Sequence, residues 1–132
     1  VIESLAVGIK PDSQAFYNLG VIYLRQEKLQ ESLTELKNAA ALDALDIRTQ
    51  MNLGVVYFQL EDWSNAEIHF ENAIKLEPRM ATGYVNLGNT LMRQGKKQEA
   101  VQRYQQALQL EPDNPQARES LDAALNSPEP NR

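Results

Sequence analysis

The chain has 132 residues, with 13 Lys or Arg, 18 Asp or Glu, one His and no Cys, for a formal net charge of −5. Without a thiol there is no disulfide framework, thiolate zinc site or cysteine nucleophile, and an acidic chain lacks the broad basic patch that nucleic-acid binding requires. Its apolar share of 42% is that of an ordinary folded domain, and no apolar run approaches the ~18 residues needed to cross a bilayer.

In chain order, the sequence opens on Val1 rather than Met, so it reads as a segment of a longer protein. No signal-peptide pattern is present, which favours a soluble, cytoplasmic setting. Ile2, Leu5, Ala6 and Ile9 recur at helical spacing before Pro11, as in the second helix of a repeat whose first helix is missing. Six helices follow, predicted over 13–25, 29–42, 47–59, 64–76, 81–93 and 98–110. Asp12, Asp46 and Asn114 stand where N-caps are wanted, and Gly95 where a C-terminal cap is wanted. Asn114 and Pro115 open a last helix whose core positions are Ala117, Leu121, Ala124 and Leu125. Its Asp122 stands where earlier helices carry Gly, so no further helix is expected to pack there, and residues 127–132 are expected to be disordered.

The helices repeat. Asn-Leu-Gly occurs at Asn18–Gly20, Asn52–Gly54 and Asn86–Gly88, at intervals of 34 residues. Aromatics precede the Leu at Phe16 and Tyr84, and a large residue follows the Gly at Tyr23, Tyr57 and Leu91. Ser32, Ala66 and Ala100 come next, then Leu36, Phe70 and Tyr104, then Ala39, Ala73 and Ala107, with Pro78 and Pro112 closing two of the units. A fixed period of this length marks stacked helix pairs. The frame resembles the tetratricopeptide repeat (TPR), departing from it at Gln50, Ser32, Leu91 and Ala44. The resemblance implies an all-α, right-handed superhelix of antiparallel helix pairs. Residues 1–11 would be the second helix of a truncated repeat, 12–45, 46–79 and 80–113 three full repeats, and 114–126 a capping helix.

Glycine inside a helix costs about 1 kcal/mol relative to alanine. Gly20, Gly54 and Gly88 therefore need a reason, and a second helix crossing too close for a Cβ supplies one, with Ala66 or Ala100 expected across the contact. No catalytic constellation is found. The glycines at 83 and 88 have the spacing of a phosphate loop, but Asn89 follows where Lys is needed, and the segment is helical. His69 has no second His or Cys to complete a metal site and reads as a solvated surface residue. Trp63 and the repeat-frame tyrosines read as packing residues. No cofactor or metal is expected.

Function must then come from a surface. In proteins this chain resembles, the first helix of each repeat lines a concave binding face. One stripe of those helices holds Gln14, Tyr17, Asn18, Val21, Leu24 and Arg25, then Arg48, Met51, Asn52, Val55, Phe58 and Gln59, then Thr82, Val85, Asn86, Asn89, Met92 and Arg93. The three first helices contain no Asp or Glu but do contain Arg25, Arg48 and Arg93, so a mildly positive inner face is expected on an acidic chain. The groove residues singled out are Tyr17, Asn18, Val21, Arg25, Arg48, Met51, Asn52, Val55, Phe58, Asn86, Asn89 and Arg93. Asn18, Asn52 and Asn86 are similar to the asparagine ladder by which peptide O-linked N-acetylglucosamine transferase holds an extended backbone. Chaperone-binding TPR domains instead grip a terminal Asp with Lys and Asn on the first unit and Lys and Arg on the third. Tyr17, Val21, Thr82 and Asn86 replace these here, which argues against an Hsp70 or Hsp90 tail. The sequence thus points to a non-catalytic protein-interaction module for a peptide or helix, apolar with some acidic character. The alternatives are the substrate-recruiting arm of a larger enzyme such as a glycosyltransferase, and a homo-oligomer formed through the N-terminal helix.

Overall fold

The computed structural model describes residues 12–128, and among these every regular element is a helix. They are α1 (Ser13–Arg25), α2 (Leu29–Leu42), α3 (Ile47–Gln59), α4 (Trp63–Leu76), α5 (Ala81–Arg93), α6 (Lys97–Leu110) and α7 (Pro115–Asn126). Side-chain caps set several starts. Asp12 accepts from the Ala15 amide at 2.6 Å, Asp46 from Arg48 at 3.0 Å and Asn114 from Ala117 at 2.9 Å. Asp62 caps α4 by accepting from the Asn65 amide at 3.3 Å, which begins that helix at Trp63, one residue before the spacing placed it. The first-helix ends share one turn. The amides of Lys28, Asp62 and Lys96 donate to the carbonyls of Tyr23, Tyr57 and Leu91, five residues back, and the residue before each donor has positive φ: Glu27, Glu61 and Gly95.

α1 packs on α2, α3 on α4 and α5 on α6, and α2–α3 and α4–α5 contacts join successive pairs. α7 closes the array against α5 and α6. The core runs through the stack as Leu36, Leu53, Val56, Phe70, Leu87, Leu91 and Tyr104, all nearly inaccessible to solvent.

The glycines explain the tight pairing, with a correction to the expected partner. A Cβ on Gly20 would lie 2.6 Å from Leu36, and equivalent atoms on Gly54 and Gly88 would collide with Phe70 and Tyr104. The residue facing each glycine is therefore sixteen positions on, not the Ala66 or Ala100 twelve on. The position twelve on fills the same contact from the side: Ser32 is fully buried and its hydroxyl donates to the Gly20 carbonyl at 2.7 Å. Because the same offset holds three times, α1 keeps the register of the other first helices, although the interval from Pro11 to Leu19 is one residue shorter than that from Pro78 to Leu87. The expectations for residues 1–11, including self-association through that helix, lie outside the described residues, as does the tail from 129 to 132. Ser127 follows α7, and its carbonyl accepts from Lys97 Nζ at 2.6 Å.

Candidate functional site

The stripe on the first helices lines a series of hollows along one side of the stack. Tyr17 of α1 with Ile47, Arg48, Met51 and Asn52 of α3 and Met80 line one of about 250 Å³. Val55, Phe58 and Gln59 of α3, Phe70 of α4 and Asn86 and Asn89 of α5 line the next, of about 160 Å³. Thr82, Val85 and Asn86 of α5 with Asn114 and Gln116 line a third, of about 230 Å³, beside the last helix. Nine of the twelve predicted residues thus fall into two groups. Tyr17, Arg48, Met51 and Asn52 meet at the first hollow, and Val55, Phe58, Asn86 and Asn89 at the second, with Arg93 on its rim. Asn18, Val21 and Arg25 line neither of these two.

At the first hollow the side chains are already committed to each other. Arg48 stacks on the Tyr17 ring at 4.3 Å, donates to Gln14 Oε1 at 2.8 Å and forms an ion pair with Asp46 at 2.8 Å. Asn52 Nδ2 donates to the Tyr17 hydroxyl at 3.2 Å, and Gln14 donates to Asn18 Oδ1 at 2.8 Å. The Arg48 hydrogen bonds hold the Asp46 carboxyl below its ordinary value of 3.8. The expected mildly positive face is therefore uneven, its charge offset at the first hollow. Asp46 lies outside the helix, where a count over the first helices missed it, and as the N-cap of α3 it offsets Arg48.

The second hollow differs. The Arg93 guanidinium lies 5.8 Å from the Phe58 ring and 5.6 Å from the Trp63 ring, and the two rings meet edge to face at 5.0 Å. No carboxylate pairs with Arg93 among the described residues. Glu67 on α4 is instead engaged by Gln94 at 2.7 Å and Lys96 at 3.6 Å. Asn89 Oδ1 accepts from the Tyr104 hydroxyl at 2.7 Å. Burial pushes that hydroxyl up to about 12, so it stays protonated and continues to donate. The Asn86 side chain, half-buried between two hollows, has no hydrogen-bond partner among the described residues.

Trp63 was read as a packing residue, yet it forms part of this rim. A signal was available, since Leu29 and Lys97 hold its place in the other units and an aromatic there is peculiar to the second. His69, read as a solvated surface residue, is half-buried. Its Nδ1 lies 2.8 Å from Gln50 Oε1, and its ring stacks on Tyr57 at 5.4 Å. Asn72 donates to the same Gln50 oxygen at 3.2 Å, so this polar trio fills the place where the repeat frame has an aromatic. Burial and the nearby Lys37 hold the imidazole below its ordinary 6.5. Among the described residues no group of three His, Asp or Glu could hold a metal ion, and no helix is long and apolar enough to cross a membrane.

Family profiles described as tetratricopeptide repeat match residues 45–110 and 13–44. No curated protein matches the chain. Among solved structures, the chain is similar to the first TPR of Spaghetti (RPAP3) bound to the HSP90 peptide SRMEEVD, at 24% identity and TM-score 0.83 over 86% of this chain and 90% of that one. The second TPR domain of human RPAP3, in complex with the HSP70 peptide SGPTIEEVD, is similar at 21% identity and TM-score 0.80 over 87% and 99%. A Thermobaculum terrenum O-GlcNAc transferase mutant matches at 22% identity and TM-score 0.78, over 86% of this chain but 22% of that one. At these identities the structural likeness bears on the fold.

Proposed function

Because the chain belongs to the tetratricopeptide repeat family, we propose that it is a non-catalytic interaction module. It holds a peptide or helical segment, apolar with some acidic character, along the face built by α1, α3 and α5. The observation that carries this reading is the pairing of half-buried apolar side chains with a complete lack of carboxylates on α1, α3 and α5, which supply most of the lining of the hollows. Apolar surface in a groove rewards an apolar partner, and arginine without acidic neighbours steers an acidic one. The peptides held by the two RPAP3 domains, SRMEEVD and SGPTIEEVD, are acidic and end in Asp. Here Tyr17, Val21, Thr82 and Asn86 supply none of the lysines or arginines used to grip such a terminus, so an internal segment suits this groove better.

Titration of acidic-apolar peptides into the protein, followed by amide chemical shifts, tests the assignment. Shifts are expected on α1, α3 and α5, with affinity reduced about tenfold by an Asn52→Ala, Arg48→Glu double substitution that adds a negative charge and removes an amide. Unchanged affinity in that variant would sink the groove assignment.

A second reading rests on Asn18, Asn52 and Asn86, which recur every 34 residues on one face. A row of amides hydrogen-bonds a peptide backbone without reading its side chains, which suits the substrate-recruiting arm of a larger enzyme such as a glycosyltransferase. In that case binding tolerates scrambling of the peptide sequence, whereas the leading reading requires its apolar and acidic residues.

A further inference from the structure

We propose that the hollow between α3 and α5 is an anchoring pocket for one aliphatic side chain of the partner, followed at once by a carboxylate that pairs with Arg93. This rests on the groove reading and gives it a chemistry.

The pocket arises from a mismatch between neighbouring repeats. In the third unit Asn89 faces Tyr104, and the two side chains satisfy each other at 2.7 Å. In the second unit the same two places hold Val55 and Phe70, which have no polar atoms to pair. Phe70, Val55 and Phe58 therefore give the hollow a hydrocarbon floor and side, with Gln59 beside them on α3 and Asn86 and Asn89 on α5. Phe70 reaches the floor because Gly54 leaves it room. About 160 Å³ is side-chain sized: an apolar cavity of roughly 150 Å³ accepts a benzene molecule, so leucine or methionine fits and an indole does not.

The rim supplies direction. The Arg93 guanidinium lies over two aromatic rings and has no acid partner among the described residues. A cation so placed loses little side-chain freedom when a carboxylate arrives. Asn86, unpartnered at the wall, presents both a donor and an acceptor to the main chain of the same segment. An apolar anchor seated beside an aromatic and arginine rim is the arrangement that concentrates binding energy in interfaces. The first hollow lacks these features, since its arginine is already paired with Asp46.

The test uses the peptide Ac-GSGLEEGSG with an amidated C-terminus, so that no terminal carboxylate contributes. Binding is followed by Trp63 fluorescence and independently by amide shifts. Replacing its leucine by alanine is expected to weaken binding about tenfold, from the apolar area no longer buried. Replacing both glutamates by glutamine is expected to weaken it several-fold and to abolish most of its salt dependence. In the protein, Val55→Phe fills the pocket and Arg93→Gln removes the cation, and each should reproduce the corresponding peptide change, while Gln102→Ala, exposed on α6 away from the groove, should leave affinity unchanged. Where Val55→Phe does not fold, the Arg93→Gln variant against the three peptides carries the test, because its loss should vanish for the glutamine peptide. Binding of the leucine peptide that is indifferent to Val55→Phe and Arg93→Gln but lost in Arg48→Gln overturns the pocket and leaves the groove standing. Shifts confined to surfaces away from α1, α3 and α5, or no binding to wild type, overturn the pocket as well, and shifts away from those helices take the groove reading with it.

Discussion

Glu27, Glu61 and Gly95 hold the same place in three successive turns, with φ of 61°, 61° and 76°. Only the third is the residue that such a conformation favours, because a side chain in the left-handed region crowds the neighbouring carbonyl at about 1 kcal/mol or more. The turn nevertheless forms each time, since its paired amide-to-carbonyl bonds close the helix end in all three. Glu61→Gly is therefore expected to raise stability by about 0.5–1 kcal/mol in urea unfolding, and Gly95→Ala to lower it by a similar amount. The opposite signs at equivalent positions make the comparison internally controlled. Gly95 was legible in the sequence as a cap. Glu27 and Glu61 were not, because nothing about glutamate announces positive φ; only alignment of the units with one another places them.

At the scale of elements, each helix pair is fixed by a glycine on its first helix and a large side chain on its second. Gly54→Ala gains helix propensity but thrusts a methyl into the Phe70 ring. The clash should win, leaving a net loss of about 1–2 kcal/mol by the same denaturant measurement. The sequence showed that a close crossing was needed but not which residue came closest. Helical periodicity tells which face a residue is on, while the tilt between two helices decides whether the twelfth or the sixteenth residue meets the glycine. The Gln50, His69 and Asn72 cluster was opaque for a related reason, since three polar residues on α3 and α4 look like surface until the helices are brought together. Its pH behaviour follows from the sign of one shift. The His69 value lies below 6.5 in the folded chain, so the unfolded chain takes up more protons, and the stability this supplies is fully present above 6.5 and lost as pH falls through the folded value. Glu71 works in the opposite sense, its carboxyl raised above 4.5 by burial and by its hydrogen bond with Glu67. The difference between wild type and His69→Gln isolates the histidine. The urea midpoint should fall from pH 7.5 to 5.5 more steeply in wild type, and parallel curves would show that the imidazole contributes nothing.

At the scale of the whole stack, burial among the described residues is uneven. α1 has two buried residues, α3 six and α5 eight. The leucine of the repeated triplet shows the gradient at one position: Leu19 is 39% exposed, Leu53 1% and Leu87 2%. Stability in such an array is close to a sum over neighbours, so Leu53→Ala and Leu87→Ala should each cost about 2–5 kcal/mol and Leu19→Ala under about 1. Hydrogen exchange should likewise find, among the three first helices, α1 amides opening before those of α5. The repeat and its helix order could be read from the sequence alone because they are periodic. The second hollow could not, because it arises where the period is broken: Asn89 against Val55, Tyr104 against Phe70, Trp63 against Leu29 and Lys97.

Phe70 serves two purposes at once, as the ring that seats α4 against Gly54 and as the floor of the hollow beside Phe58. Any change of floor is therefore also a change in how a hairpin closes. A chain of this kind can diversify what it recognises only by altering the walls, at Val55, Asn86 and Arg93, whose replacement leaves the hairpin contacts intact. Evolutionary drift in specificity should accordingly run along the first helices and spare the second.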